Sequence, residues 1–199
     1  MTTAVAAPKS AHFARFVGAL EFLYAQGFRG RDFIRAAEPA LRRLLIERDW
    51  LPEAARTPSE KGYARHLLHR DPGDRFVVAA MVWKPGQGTP IHDHDGTWGM
   101  VGMIEGGLEV VNFSPEARAG GEEVSLRREA PHTPKAGEPE CVCACADIHQ
   151  VTNRLGETAV SVHVYPRDLE KCSVFEPVEE ARGRYAARTV KLDYTKRYS

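Results

Sequence analysis

The sequence predicts a mainly β protein, an antiparallel β-barrel or jelly roll preceded by α-helices. Between about residues 11 and 50, apolar residues recur at the three- and four-residue steps of amphipathic helices. From residue 63 onward the pattern changes to many short β-rich segments separated by glycine and proline. With 199 residues the chain is long enough for one well-cored domain, so residues 1–199 are expected to form a single unit.

Two helices are predicted in the N-terminal region, and both apolar stripes are interpreted as faces that pack on the barrel. The first helix begins near His12, and Gly27 and Gly30 are expected to end it. The second runs from about Arg31 to residue 46. Pro39 is expected to break or restart it, because proline lacks a backbone N–H donor.

The barrel is predicted to extend from about residue 63 to residue 177. Alternating and β-branched segments predict strands at residues 76–83, 98–104, 108–113, 123–127, 140–145, 159–165 and 173–175. Glu105, Gly106 and Gly107 are expected to form a hairpin turn between the second and third of these. Residues 182–199, rich in Lys, Arg and Tyr, are expected to be a solvated closing segment.

The balance of charge limits the classes of partner. Lys plus Arg and Asp plus Glu both number 27, so the chain offers no electrostatic case for binding nucleic acid or an anionic membrane. No apolar stretch reaches the roughly 18 residues of a membrane span. The first ten residues have no apolar segment typical of a secretory signal. A cytoplasmic protein is the expectation.

The most informative motif is the pair His92 and His94, which follows a Gly/Pro-rich turn at residues 86–90. Alternate residues of a strand share a face, so the two imidazoles are expected to point the same way and Asp93 to point away. Asp95 is also expected to point away if the strand stays regular. Neutral imidazoles that converge on one point suit Zn, Fe, Cu or Ni, so the pair predicts part of a metal site.

Cys141, Cys143 and Cys145 alternate and are expected to share one strand face. Zinc sites usually space their cysteines by two to four residues and combine two separated pairs, which this chain lacks. Buried free cysteines that act as small hydrophobes in a reducing compartment are therefore favoured over a thiolate metal site.

Two motifs resemble those of the cupin superfamily. Gly86, His92, His94 and Gly106 resemble the first cupin motif, and His149 followed four residues later by Asn153 resembles the end of the second. Cupins usually carry a metal-binding carboxylate four or five positions after the second histidine.

Residues 98 and 99 are Trp and Gly in this chain, so that carboxylate is missing. The Pro and Gly expected shortly before His149 are also absent, with Ala144 and Ala146 in that region. A cupin that keeps three histidines without the carboxylate resembles the thiol dioxygenases.

Two further segments resemble one subfamily of these enzymes, the cysteine dioxygenases of bacterial type. The residues from Tyr63 to Leu68 are similar to the segment that supplies the substrate-binding arginine, which here is Arg65. Residues 161–165 are similar to the Ser-His-Tyr triad of the family. The resemblance extends from about residue 63 to residue 172.

This resemblance implies Fe(II) held by His92, His94 and His149, with a small thiol and O2 as the other partners. Both oxygen atoms would be transferred to the thiol sulfur, giving a sulfinate. His163 in place of His149 is the alternative third ligand. His149 is preferred because Asn153 follows it at the cupin spacing.

The resemblance also implies roles for the other residues of the site. Ser161 would bond His163, which would orient the hydroxyl of Tyr165 toward the ligands of the iron. Arg65 would bind the substrate carboxylate, since a guanidinium matches two carboxylate oxygens, and Tyr63 is expected on the same face.

Three functions follow from these assignments. L-cysteine oxidation to cysteine sulfinate is preferred. The closest alternative is a 3-mercaptopropionate dioxygenase, but those relatives typically have Gln at the position of Arg65 and a later arginine. Arg167 is present in that region, whereas the expected later position is near Val174. A non-catalytic metal-binding cupin is the third possibility.

The chain also differs from some relatives near the tyrosine. Some cysteine dioxygenases join a cysteine covalently to the active-site tyrosine, and the matching residue here is Gly99, so Tyr165 is expected to be unmodified. Cys172 is expected to have a packing role, with thiol exchange as the alternative. The remaining histidines are expected to be surface or hydrogen-bonded residues: His12, His66, His69 and His132.

Overall fold

The computed structural model describes residues 10–47, 49–116, 123–142 and 147–198. It begins with two helices, α1 (Ala11–Ala25) and α2 (Gly30–Ile46). The hydroxyl of Ser10 caps α1 by accepting a hydrogen bond from the backbone N–H of His12. Gly27 follows α1 with a φ of +86°, as expected for a helix end, whereas Gly30 begins the second helix.

Helix α2 continues across Pro39, so the predicted break at this residue is wrong. Ala37 before the proline and Leu41 after it are both fully buried on the same core face. Packing on both sides of Pro39 therefore holds the helix together, although proline removes one backbone hydrogen bond.

Twelve strands follow in the described residues. In chain order they are β1 (Ala64–Arg70), β2 (Val77–Trp83), β3 (Ile91–His92), β4 (Gly99–Glu105), β5 (Glu109–Pro115), β6 (Glu123–Arg128), β7 (Pro139–Val142), β8 (Ile148–Thr152), β9 (Ala159–Tyr165), β10 (Lys171–Glu179), β11 (Arg184–Lys191) and β12 (Lys196–Arg197). Cys143 and Cys145 lie outside the described residues, so the interpretation of the three-cysteine run stays a prediction.

The strands form two sheets. One has six strands in the order β12-β1-β2-β9-β4-β7, and the other closes on itself in the order β10-β11-β6-β5-β8-β3. The pairing is antiparallel except between β1 and β12, which run parallel. The predicted class, a mainly β cupin-type barrel with N-terminal helices, is confirmed.

The alternation of strand side chains divides the core into two parts. On β2, Val78, Ala80 and Val82 belong to the cluster that includes both helices, whereas Met81 and Trp83 belong to a second cluster. Strand β9 alternates in the same way, with its three even-numbered valines on the helix side. Strands β2 and β9 are therefore buried on both faces, and their second face lines a cavity between the sheets.

Residues 105–107 do not form the predicted hairpin. Strand β4 pairs with β7 and β9, while β5 pairs with β6 and β8, so this connection carries the chain from one sheet to the other. Gly106 has a φ of +65°, and a Cβ atom there would lie 3.1 Å from Ala159 Cα. Glycine is required because the connection passes close to the start of β9.

The C-terminal segment is not the solvated tail that its composition predicts. It contributes β11 and β12, and it buries Tyr185 and Tyr198 while most of its charged residues stay exposed. The tyrosines supply the apolar surface that composition alone does not reveal, because they are interspersed among Lys and Arg. No helix in the described ranges has the length and apolarity needed to cross a membrane.

Candidate active site

Three histidines meet at one end of the closed sheet. Strand β3 pairs with β8 so that His92 lies opposite His149, and His94 follows two residues after His92. One ligand atom from each ring lies within 4.8 Å of the other two. His94 and His149 are buried and His92 is half-buried. The structure therefore brings together all three predicted metal ligands.

Hydrogen bonds to carbonyl groups orient two of these rings. His92 Nδ1 lies 3.1 Å from Pro90 O, and His94 Nδ1 lies 3.0 Å from Asp147 O. A carbonyl can only accept, so Nδ1 carries the proton in both rings and Nε2 keeps its lone pair for a metal.

The electrostatics of the cluster keep two of the rings, those of His92 and His149, neutral. Burial and the neighbouring His94 lower the pKa of His92 to about 4. Burial and the two other imidazoles hold the pKa of His149 well below its usual value. Three converging imidazoles form a donor set that fits a divalent ion such as Fe(II) or Zn(II).

A second group of possible ligands comprises Glu21 of α1, His69 of β1 and the nearby Asp71. Asp71 is fully buried and its two carboxylate oxygens accept hydrogen bonds from Arg75 at 2.6 and 2.7 Å. These bonds lower the pKa of Asp71 to about 2. The guanidinium of Arg75 already provides the cation at this position, so the group formed by the three histidines is the stronger candidate for a metal site.

Two other histidines agree with their predicted structural roles. His66 is buried and its Nε2 donates to the carbonyl of Thr57 at 2.9 Å. His12, at the surface, contacts Arg15 and Glu47. Neither belongs to a group of possible metal ligands among the described residues.

Strand β9 presents the predicted triad on its cavity face. Ser161 Oγ lies 2.8 Å from His163 Nε2, and His163 Nδ1 lies 3.0 Å from the hydroxyl of Tyr165. All three residues are buried. The ring of Tyr165 stacks beside that of His94 with 6.0 Å between centroids. The triad therefore ends next to the histidine cluster.

The triad has a fourth member that the sequence did not reveal. Trp83 Nε1 donates a hydrogen bond of 3.0 Å to Ser161 Oγ. An indole N–H can only donate, so the serine oxygen accepts there and its own proton is free to go to His163 Nε2. His163 Nδ1–H can then donate to the oxygen of Tyr165, which leaves the phenol proton for the cavity. The sequence signal for this contact was weak, because Trp83 stands out only as the last residue of an apolar strand. The structure shows that this strand pairs with β9.

Burial sets the protonation states along this chain of hydrogen bonds. The pKa of His163 is lowered to about 3, first by burial and then by His94 and Arg65. The pKa of Tyr165 is raised, mainly by burial. At neutral pH the imidazole is therefore neutral and the phenol keeps its proton. The hydroxyl of Tyr165, held by His163, can therefore donate a hydrogen bond into the cavity.

Arg65 lies on β1 with only 4% of its surface exposed. Its Nη1 donates to the carbonyl of Leu169 at 3.0 Å, and its Nη2 reaches the hydroxyl of Tyr194 at 3.4 Å. The carboxylate of Asp168 is 4.0 Å away and is shared with Arg70 and Arg197. Three guanidinium groups thus surround one carboxylate, which leaves positive charge available at Arg65.

Tyr63 is stacked on Trp83 with 4.3 Å between ring centroids. Burial raises the pKa of its phenol, so the hydroxyl stays protonated. Tyr63 and Arg65 both line the cavity, as expected for neighbours on one strand face. The structure thus places both predicted substrate-binding residues with the histidines and the triad.

One cavity of about 160 Å³ connects all of these groups. This volume is below the range of pockets that hold drug-sized ligands, which favours a small substrate.

Cys172 also lines the cavity, and burial raises the pKa of its thiol to about 11, so it is protonated at neutral pH. Asp93 Oδ1 accepts a hydrogen bond of 2.7 Å from Ser173 N, as expected for a residue that is not a metal ligand.

Comparison with known proteins adds to this geometry. The family model for cysteine dioxygenase type I matches residues 53–177, well over half of the chain. The chain belongs to the cysteine dioxygenase type I family. All eight predicted residues of the site, from Tyr63 to Tyr165, lie within the matched region.

Curated members of the family are distant relatives. Cysteine dioxygenase type 1 of Homo sapiens is 25% identical over 115 residues, and that of Rattus norvegicus is 24% identical over 116 residues. Each match covers 57% of this chain and 56% of the relative. The chain therefore matches little more than half the length of these enzymes.

Solved structures show weaker likenesses. A Klebsiella pneumoniae protein with a double-stranded β-helix domain is 19% identical, with a TM-score of 0.47, covering 66% of this chain and 99% of that one. A Thermus thermophilus protein is 18% identical, with a TM-score of 0.44, covering 59% of this chain and 98% of that one.

Proposed function

We propose that this protein is a cytoplasmic Fe(II)-dependent thiol dioxygenase that converts L-cysteine and O2 to cysteine sulfinate. One observation carries the proposal: a single small cavity joins three imidazoles, a tyrosine held by a hydrogen-bonded triad and a buried arginine. Membership of the cysteine dioxygenase type I family supports it.

His92 and His94 would hold the iron through their Nε2 atoms, and His149 through one of its two ring nitrogens. Bound iron supplies the redox chemistry that joins both atoms of O2 to the substrate sulfur. Because all three protein ligands are neutral, the site keeps the double positive charge of the metal and favours the thiolate form of the substrate.

Tyr165 serves as the hydrogen-bond donor to the reacting groups. Its phenol is too weakly acidic in this buried position to lose its proton at pH 7. His163 holds the phenol oxygen, and Ser161 with Trp83 fixes the ring tautomer of His163. The substrate sulfur supplies the electrons for the reaction, so no external reductant takes part.

Arg65 binds the carboxylate of the substrate. The buried guanidinium of Arg65 shares the carboxylate of Asp168 with two other arginines. Its charge is therefore incompletely neutralised. A substrate carboxylate supplies the missing charge and can accept two parallel N–H groups. Arg167, the other arginine considered from the sequence, is half-exposed and pairs with Asp95, so it does not compete for this role.

The test is oxygen consumption by the Fe(II)-loaded protein with L-cysteine and with 3-mercaptopropionate in parallel, with the sulfinate product quantified. We expect faster turnover of L-cysteine with equal amounts of O2 consumed and sulfinate formed. Faster turnover of 3-mercaptopropionate would keep the iron chemistry and overturn the choice of substrate. No consumption with either thiol at full iron occupancy would overturn the proposed function.

A further inference from the structure

The segment that follows β11 is attached to β1 at Arg65 and at Leu67. The N–H of Thr195 donates to the carbonyl of Arg65 at 2.7 Å, and the N–H of Arg65 donates to the Thr195 hydroxyl at 3.0 Å. Two residues further along β1, the carbonyl of Leu67 accepts from the N–H of Tyr198 at 2.8 Å. The C-terminal segment, which lies beyond the family match, is thus fixed against the strand that carries Arg65.

Tyr194 in this segment contacts the guanidinium of Arg65 in two ways. The Cζ atom of Arg65 lies 4.2 Å from the centre of the tyrosine ring, a cation–π distance. The tyrosine hydroxyl donates to Asp168 Oδ1 at 2.6 Å and accepts from Arg65 Nη2 at 3.4 Å. The phenol therefore stands between the carboxylate and the guanidinium.

This arrangement holds Arg65 without using up its donors. A guanidinium has five N–H donors, and the hydrogen bonds to Leu169 and Tyr194 use two of them. A direct bidentate pair with Asp168 would occupy the planar edge that a substrate carboxylate needs and would neutralise the charge. The 4.0 Å separation between Arg65 and Asp168 prevents this.

We propose that Tyr194 is a positioning residue for substrate recognition, which fixes the orientation of Arg65 and keeps Asp168 from occupying its carboxylate-binding edge. The inference rests on the proposed role of Arg65. It assigns a function to the C-terminal segment, which composition alone suggested to be solvated.

The test compares the affinities of two thiols that differ only in the carboxylate, L-cysteine and cysteamine, for the Fe(II)-loaded protein without oxygen, measured by titration calorimetry. Tyr194→Phe keeps the ring and removes the hydroxyl. We expect it to raise the Kd of L-cysteine by about threefold to tenfold, the usual effect of one lost hydrogen bond, and to leave the Kd of cysteamine unchanged. Tyr194→Leu also removes the ring and is expected to weaken L-cysteine binding further.

Tyr198→Phe is the matched control. It removes a hydroxyl from the same segment, and that hydroxyl is buried with no hydrogen-bond partner in the described structure. We expect it to leave both Kd values unchanged. In the background of Arg65→Ala, Tyr194→Phe is expected to cause no additional loss, because its effect acts through Arg65.

The outcomes separate the two proposals. If wild-type protein prefers L-cysteine and Tyr194→Phe keeps the full preference, the role of Tyr194 is overturned while that of Arg65 stands. If wild-type protein binds both thiols equally, Arg65 is not a carboxylate site and the positioning role is overturned with it. Sulfinate production by the same preparation would then still support the dioxygenase itself.

Discussion

Gly99 lies directly against the ring of Tyr165. A Cβ atom at position 99 would stand 2.7 Å from Cε1 and 2.9 Å from Cδ1 of the tyrosine. Any side chain at this position must therefore displace the ring or the strand that carries it. Glycine at residue 99 leaves room for the ring of Tyr165 beside His94.

Gly99→Ala is therefore expected to move Tyr165 and impair turnover while the iron site stays intact. Misplacement of a reacting group by about 1 Å costs roughly a hundredfold in rate, so we expect kcat to fall by about tenfold to a hundredfold. Steady-state kinetics and iron content measure the two effects separately. Gly156→Ala, where a Cβ atom meets nothing within 4 Å, is the control. Unchanged kcat in Gly99→Ala would show that the position of Tyr165 does not limit the reaction.

Trp83→Phe is expected to lower kcat more than it changes KM. The variant keeps an aromatic ring against Tyr63 and removes the N–H that donates to Ser161. Ser161 then has no fixed donor, so the tautomer of His163 and the direction of the Tyr165 proton are no longer set. We expect about a threefold to tenfold loss in kcat, the usual effect of one hydrogen bond. An equal rise in KM with unchanged kcat would place Trp83 in substrate binding instead.

Iron binding tests the choice between the two groups of potential ligands. His94→Ala removes one ligand of the three-histidine group and is expected to lower iron affinity by at least about a hundredfold, with loss of activity. His69→Ala, in the group that Arg75 already neutralises, is expected to keep the iron content and activity of the wild type. Iron content by metal analysis and folding by circular dichroism check both variants. Loss of iron in His69→Ala alone would reverse the assignment.

The ion pair between Asp71 and Arg75 predicts a specific pH dependence of stability. The pKa of Asp71 is lowered from 3.8 to about 2 in the folded protein, mainly by its hydrogen bonds to Arg75. The unfolded chain therefore binds the proton more readily, and stability from this group is fully present above about pH 4 and is lost as the pH falls toward 2. Asp71→Asn is expected to lower the free energy of unfolding by about 2 kcal/mol at pH 7.

Denaturant unfolding of Asp71→Asn and wild-type protein between pH 7 and pH 2 measures this difference, which should shrink below pH 4. Asp74→Asn is the control, since this carboxylate is exposed and pairs with the surface residue Arg70. A difference between Asp71→Asn and wild type that stays constant down to pH 2 would show that the ion pair does not lower this pKa.

Local periodicity explains why much of the site could be predicted. Ser161 and Tyr165 are four residues apart on β9, so strand alternation brings them to one face, whereas His94 lies two residues beyond the end of β3 and still meets His92. The third histidine was assigned through the resemblance of His149 and Asn153 to the second cupin motif. The resemblance to the thiol dioxygenases thus supplied most of the predicted chemistry, including the roles of Arg65 and of the triad.

Contacts between distant residues explain what could not be predicted. Trp83 meets Ser161 across 78 residues of sequence, and Tyr194 meets Arg65 across 129. The error at residues 105–107 has the same origin, because a turn between two sheets has the same local composition as a hairpin. Pro39 stays within a helix because tertiary packing outweighs its local effect.

The most direct test of the central claim is turnover of L-cysteine by the Fe(II)-loaded protein under ¹⁸O2, with the product analysed by mass spectrometry. The account predicts cysteine sulfinate that carries two ¹⁸O atoms, both derived from ¹⁸O2. Sulfinate without the label, or with a single labelled oxygen under conditions that exclude exchange with water, would contradict assignment of this protein as a dioxygenase.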